Sequence, residues 1–296
     1  MFTCPDKLAC EDSALFNTGY NVAWVKNAKT SQFTPNVPTI FLIHGWDSWA
    51  TYWETDMRNE LMQHYNGNVN VVQVDWRDGA NQTYPEAAGN SRIVGKQIAN
   101  IAENLMNDET VALSDIIIVG HSLGAQVAGY VGKEFTKSTG QKIGRIDALD
   151  PTALMFPSSN ETETPGYDVL LLTKNDADFV QVIHTTGRYG VNLIAVRNPL
   201  GHVDFYPNAG AGFLDGYQGG CSGDPSCNHS RSYLYYKRSI NSPQCYHAKS
   251  DHKETNTMGF HAVKPQKDIE YFLTVSLVNP FSFIPVEDGC GIYTST

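Results

Sequence analysis

The sequence predicts an α/β fold, a mostly parallel central sheet with helices on both faces. Three observations carry that reading. Short continuous apolar runs recur along the chain, segments of helical periodicity separate them, and one run passes straight into a glycine-flanked serine turn followed by a helix. Continuous rather than alternating apolar runs are what strands covered on both faces require.

Taken in order, Thr39-Ile40-Phe41-Leu42-Ile43 follows Pro38 and reads as a buried strand. A helix is expected over about Tyr52 to Tyr65 and a strand over Val69 to Val74, with Asp75-Trp76-Arg77-Asp78 opening a polar loop. A long helix from about Pro85 to Met106 puts Ile93, Val94, Ile98, Ile101, Ala102 and Leu105 on one stripe. Ile116-Ile117-Ile118-Val119 is the next strand. It ends in Gly120-His121-Ser122-Leu123-Gly124, from which a small-residue helix, Ala125 to Phe135, leads away. Ile143 to Leu149 and Asp178 to Ile183 read as later strands, and Tyr271 to Ile284 as a closing one. No repeat, low-complexity tract or Pro/Ser-rich linker divides the 296 residues, so one domain over 1–296 is expected.

Composition narrows the function classes. Hydrophobic residues make up 41% and charged residues 18%, a globular balance. The net charge of −10 argues against nucleic acid and against electrostatic capture on anionic membranes, since both reward basic surfaces. No apolar stretch approaches the ~20 residues of a spanning helix, and no basic-then-apolar leader precedes Cys4, which leaves a cytosolic protein or a mature secreted chain. The six cysteines favour the second. Cys4 and Cys10 bound one short loop and Cys221 and Cys227 another, leaving Cys245 and Cys290, and these three pairings are the simplest of those possible. Sequons at Asn81 and Asn160 agree with an extracellular, secreted protein. No zinc-type Cys/His spacing occurs, and neither a metal nor any other cofactor is expected.

Gly-x-Ser-x-Gly between an apolar strand and a helix is where a strained turn exposes a serine hydroxyl, so Ser122 is the candidate nucleophile. A serine needs a base, and the base needs an acid that fixes its tautomer. Asp150, at the C-terminal edge of a predicted strand and pinned by Pro151, is the best acid; Asp147 lies inside that strand, and Asp176 and Asp178 are weaker. Among downstream histidines, His229 stands just after a cysteine-bounded loop and is favoured as the base, while His184, which ends a strand, and His202, which precedes one, read as structural; spacing alone does not decide among the three. Two amides should meet the developing oxyanion, one from Leu123 and one from Trp46 in His44-Gly45-Trp46-Asp47, whose indole could also line an acyl pocket.

These segments resemble the pancreatic lipase family, including the phospholipase A1 branch of insects and wasp venoms. The likeness runs from Cys4 to about Lys237. It rests on Phe41 to Trp46, Val74-Asp75-Trp76-Arg77, Gly120 to Ala125, Leu149-Asp150-Pro151, Val182-Ile183-His184-Thr185, Gly201 to Asn208 and Cys227-Asn228-His229-Ser230-Arg231-Ser232-Tyr233. The resemblance implies the α/β-hydrolase fold, Ser122, Asp150 and His229 as the triad, Trp46 and Leu123 as oxyanion donors, and the Cys4–Cys10 and Cys221–Cys227 pairings.

Departures from the family pattern bear on substrate. Triglyceride lipases carry a long amphipathic lid between the cysteines matching Cys221 and Cys227, where only Ser222, Gly223, Asp224, Pro225 and Ser226 remain. A reduced lid is similar to the phospholipase A1 and galactolipase members. The loop from about Gly187 to Leu200, with Val191, Leu193, Ile194 and Val196, could supply interfacial contact instead. The chain runs about 60 residues past His229, short of the ~100 residues of a C-terminal β-sandwich, so neither that module nor a colipase partner is expected. Some members hold a structural calcium before the strand matching Asp178 to Ile183. Asp168 and Asp176 are present there but Thr173 stands where an acid belongs, and no calcium is expected. Trp46 replaces a frequent phenylalanine, which could narrow the acyl groove. The resemblance implies a phospholipase A1 acting on lipid at a membrane or micelle interface, and a monomer is expected. The rivals are a neutral triacylglycerol lipase or galactolipase, and a non-catalytic yolk or lipid-carrier protein on the same fold.

Overall fold

Strand β3 (Thr39–Ile43) is buried along its whole length, and its side chains alternate between two cores. Phe41 and Ile43 join one apolar cluster, and Ile40 and Leu42 join the other. Period-two alternation with apolar residues on both faces forces a sheet into the middle of the molecule with helices on either side.

The computed structural model describes residues 15–18, 21–24, 33–48, 52–156, 169–186, 194–208, 218–222, 224–273 and 275. The remaining strands are β1 (Leu15–Thr18), β2 (Asn21–Trp24), β4 (Asn70–Asp75), β5 (Ile116–His121), β6 (Arg145–Leu149), β7 (Phe179–Ile183), β8 (Val203–Pro207), β9 (His247–Lys249), β10 (Thr255–Thr257) and β11 (Ile269–Leu273). The helices are α1 (Tyr52–His64), α2 (Arg77–Ala80), α3 (Tyr84–Asn107), α4 (Leu123–Thr139) and α5 (Pro225–Ser239). Among the described residues one sheet runs β10-β9-β11-β8-β7-β6-β5-β3-β4-β1-β2. The pairs from β4 through β11 are parallel, while β1, β2, β9 and β10 add antiparallel edges. The fold is an α/β-hydrolase fold.

After β3 the chain moves outward to β4, then returns to place β5 on the other side of β3. That reversal opens a crevice at the carboxyl ends of β3 and β5, the place where open parallel sheets hold their sites. The loop starting at His44 and the turn at Ser122 both leave the sheet there.

Helices α3 and α4 cover one face and α1 and α5 the other. The start of α3 is fixed by a capping box: the Thr83 amide donates to Glu86 Oε2 at 3.2 Å while the Thr83 hydroxyl meets the same oxygen at 2.7 Å. On its buried stripe lie Val94, Ile98, Ile101, Ala102 and Leu105, but Ile93 is 37% exposed and falls off it. Asn81, the first sequon, is exposed between α2 and α3. The expectation of a polar loop after β4 is corrected: Trp76 is fully buried and α2 follows it at once.

Asp176 is held by Lys133, whose ammonium lies 2.5 Å from its Oδ2 and 2.8 Å from the Leu171 carbonyl. A cation of the chain's own thus occupies that carboxylate. No helix among the described residues is long and apolar enough to cross a membrane. Cys4, Cys10, Cys290, Asn160, Asp168, Gly223 and positions 187–193 and 276–284 of the segments read above lie outside the described residues.

Candidate active site

Ser122 sits between β5 and α4 with φ 57° and ψ −120°, a conformation that a non-glycine residue adopts only under constraint. Its neighbours supply the constraint. The Ser122 amide donates to the Leu149 carbonyl at 3.0 Å, and the Thr152 amide donates to the Ser122 carbonyl at 3.3 Å, so the turn is tied to both flanks of Asp150. The flanking glycines are there for close approach. A Cβ on Gly120 would lie 2.2 Å from the Gly124 carbonyl oxygen, and one on Gly124 would lie 2.3 Å from that of Ile43.

Asp150 directly follows β6 and is completely buried. One carboxylate oxygen, Oδ1, accepts the amides of Thr185 at 2.8 Å and Thr186 at 3.2 Å, together with the Thr186 hydroxyl at 3.3 Å. The other, Oδ2, lies 2.6 Å from Nδ1 of His229. An acid that accepts at Nδ1 leaves Nε2 of a neutral imidazole as the acceptor, the tautomer a general base needs.

His229 lies in the first two turns of α5, a helix not foreseen from the sequence although its start signals are legible. Asp224 caps it by accepting the Ser226 amide at 2.9 Å, and Pro225 occupies the first turn. The Cys221–Cys227 disulfide forms as expected, with Cα atoms 5.4 Å apart, and pins this turn two residues before His229. Cys245 is also disulfide-bonded. Of the short segment between Cys221 and Cys227, Pro225 and Ser226 thus belong to the helix that carries His229 rather than to a free loop.

His121, the residue before Ser122, packs against His229. The His121 and His229 rings are 4.5 Å apart, and His121 Nε2 lies 3.3 Å from the His229 carbonyl oxygen. Trp53 stacks on Tyr233 at 5.1 Å, and Tyr233 meets His121 edge-on at 5.0 Å, closing an aromatic wall behind the pair. Burial, and then the neighbouring His229, hold His121 well below the usual histidine range, so it stays neutral beside any charge on His229.

The other two histidines are committed elsewhere. His184 Nε2 lies 2.9 Å from Asp204 and Nδ1 lies 2.9 Å from the Val196 carbonyl, with its ring stacked on Tyr206 at 4.5 Å. His202 Nδ1 accepts the Val180 amide at 3.0 Å. Gln218, which the sequence did not single out, is fully inside. Its amide group donates to the Thr185 and Pro207 carbonyls at 3.0 Å each and its own N–H meets Asn228 at 3.0 Å, so it ties α5 to the loop under Asp150.

Across the crevice, Gly45 backs onto the serine: a Cβ there would sit 2.9 Å from Ser122 Cβ. Trp46 follows, 45% exposed, with its indole N–H donating to the Gln82 carbonyl at 2.9 Å and its ring edge-on to Tyr84 at 5.3 Å. Leu123 is the first residue of α4, where an amide has no intrahelical acceptor.

A strained serine between parallel strand and helix, at the switch point of this strand order, is the organisation of the α/β hydrolases. Within that class the chain belongs to the Lipase family, whose model matches residues 17–267. It is similar to inactive pancreatic lipase-related protein 1 of Homo sapiens, 36% identical over 74% of this chain and 48% of that protein. It is equally similar to phospholipase A1 of Vespula squamosa, 36% identical over 70% of this chain and 67% of the wasp protein. Pancreatic triacylglycerol lipase of Oryctolagus cuniculus is 36% identical over 72% of this chain and 46% of its own length. The chain thus spans about half the length of the pancreatic relatives it matches.

Proposed function

We propose that the protein is a secreted, monomeric serine hydrolase of lipid esters, and in particular a phospholipase A1 working at a membrane or micelle surface. The observation that carries the reading is the 2.6 Å His229–Asp150 pair standing beside the strained Ser122 turn. In this reading Ser122 attacks the sn-1 ester carbonyl as His229 takes its proton, and buried Asp150 stabilises the imidazolium that results. The Trp46 and Leu123 amides receive the negative oxygen. His229 then returns the proton to the departing lysolipid alkoxide, and a water activated by the same imidazole releases the fatty acid.

Support for the phospholipid comes from the segment between Cys221 and Cys227, which has no apolar face to cover a site or grip an oil surface. Identity alone does not choose, because a phospholipase A1, a triacylglycerol lipase and an inactive relative match at the same 36%. The even set of cysteines, with Cys221, Cys227 and Cys245 bonded, supports an oxidising, extracellular compartment.

Labelling with a fluorophosphonate tests the chemistry: Ser122 is expected to be the modified residue, and Ser122→Ala to lose both label and esterase activity. A chain that hydrolyses nothing and resists the probe is a carrier. Phosphatidylcholine, galactolipid and triolein offered under matched conditions test the substrate, with the phospholipid expected first. A preference for triolein that jumps at the oil–water interface contradicts it and makes the protein a neutral lipase.

A further inference from the structure

Val74-Asp75-Trp76-Arg77 takes no part in the proposed chemistry, yet it closes on the loop that carries Trp46. His44 is the contact, fully buried at the end of β3. Its Nε2 lies 3.2 Å from the backbone nitrogen of Trp76, and its Nδ1 lies 2.9 Å from the carbonyl oxygen of Gly45. A backbone amide only donates, so Nε2 must present its lone pair. The ring proton is then on Nδ1 and is donated to the Gly45 carbonyl.

Asp75 does not compete for that proton. Its Oδ1 is 3.8 Å from Nε2, too far for a hydrogen bond, and Arg77 Nε holds the carboxylate at 2.8 and 2.9 Å. Trp76 adds a second hold: its indole donates to the His44 carbonyl at 2.9 Å, and its ring stacks on the imidazole at 5.6 Å and 19°.

The Gly45 carbonyl and the Trp46 N–H belong to one trans peptide unit and point in opposite directions. Fixing the carbonyl on His44 therefore fixes the N–H on the far side, in a loop whose Gly45 already lies against Ser122. We infer that His44, held in its Nδ1–H tautomer by the Trp76 amide, is a positioning residue that presets the Trp46 amide for the oxyanion. The inference rests on the hydrolase reading above, with Trp46 as one of the two donors. It also gives Trp76, the residue after β4, a purpose, which is to lock a tautomer from 32 residues away.

Two amide variants separate this from a packing role. His44→Asn places an N–H donor near the Nδ1 position but offers no acceptor to Trp76, so it should melt lower while still holding the Gly45 carbonyl. His44→Gln reaches the Nε2 position and accepts from Trp76, but leaves that carbonyl unheld. On a soluble short-chain ester, the Asn variant is expected to keep kcat within about threefold of the parent. The Gln variant should lose about 30-fold in kcat and in affinity for a trifluoromethyl ketone analogue alike, with KM nearly unchanged, despite the higher Tm of the two. Activity that follows Tm instead, with Asn worse than Gln, or a Gln variant as fast as the parent, overturns the proposal. Should either variant fail to fold, ¹⁵N shifts of the parent's labelled histidines decide: a protonated Nδ1 on His44 supports it and a protonated Nε2 overturns it. Ser122→Ala run alongside keeps the two readings apart. If that variant stays active the hydrolase reading fails, whereas an inactive Ala variant with an unimpaired Gln variant removes the positioning role alone.

Discussion

Asp150 divides its two oxygens between the Thr185–Thr186 segment and a histidine. Two backbone amides and a hydroxyl fix Oδ1, which leaves Oδ2 aimed at His229 Nδ1. Asp150→Asn keeps the shape but presents an N–H or a carbonyl to Nδ1, so the tautomer of His229 is no longer set. We expect kcat to fall by about 10⁴ with KM little changed, measured on a soluble ester. A loss under tenfold contradicts the assignment. The sequence favoured His229 over His184 and His202 as the base without deciding it, because their difference lies in where each ring nitrogen points. His184 has both nitrogens on acceptors and reads as a charged, structural residue. Burial works against its proton, but Asp204 and the Val196 carbonyl outweigh burial and raise it above the ordinary histidine value. A raised folded value means that this stabilisation is complete below about pH 6.5 and fades as pH rises through the folded value. His184→Gln should therefore cost about 3 kcal/mol at mildly acidic pH, by urea denaturation, and the gap to the parent should narrow at alkaline pH. A gap that widens with pH would contradict the charged pair.

At the scale of elements, the α3 stripe, β3, β5 and the serine turn were legible because periodicity and glycine spacing report directly on burial. Ile93 was misplaced by about one position on α3, a small angular error that a periodic pattern tolerates. Helix α5 escaped notice because its buried face is built from Tyr235, Tyr236, Arg231 and Ser232 rather than from aliphatic residues. Trp76 was read as loop because it stands among charges, and its partner His44 lies far away in the chain, just after β3. The Cys221–Cys227 link fastens the first turn of α5, so its removal should reach the site. Replacing both cysteines by serine is expected to lower stability by about 2 kcal/mol, from the loop entropy it restores to the unfolded chain. Activity should fall further than the unfolded fraction explains, as His229 loosens. Unchanged kcat at full folding would show that α5 is held without the link.

For the whole molecule, the strand order does the assembling. One reversal between β4 and β5 brings His44-Gly45-Trp46 and Ser122 together, and the carboxyl ends of β6 and β7 deliver Asp150 and its Thr185 support to the same rim. Alternating apolar runs announce a sheet and two helical layers, but not which strands become neighbours. The chain order of Ser122, Asp150 and His229 was the one long-range clue in the sequence. With a net charge of −10, the proposed binding to a lipid surface would rest on apolar contacts, and Trp46 and Leu154 are exposed. The most direct test of the account uses phosphatidylcholine with different acyl chains at sn-1 and sn-2, comparing the parent with Ser122→Ala by mass spectrometry. The account predicts free sn-1 fatty acid and 2-acyl lysophospholipid from the parent and neither from the variant; release of the sn-2 acid first, or equal release by Ser122→Ala, would contradict it.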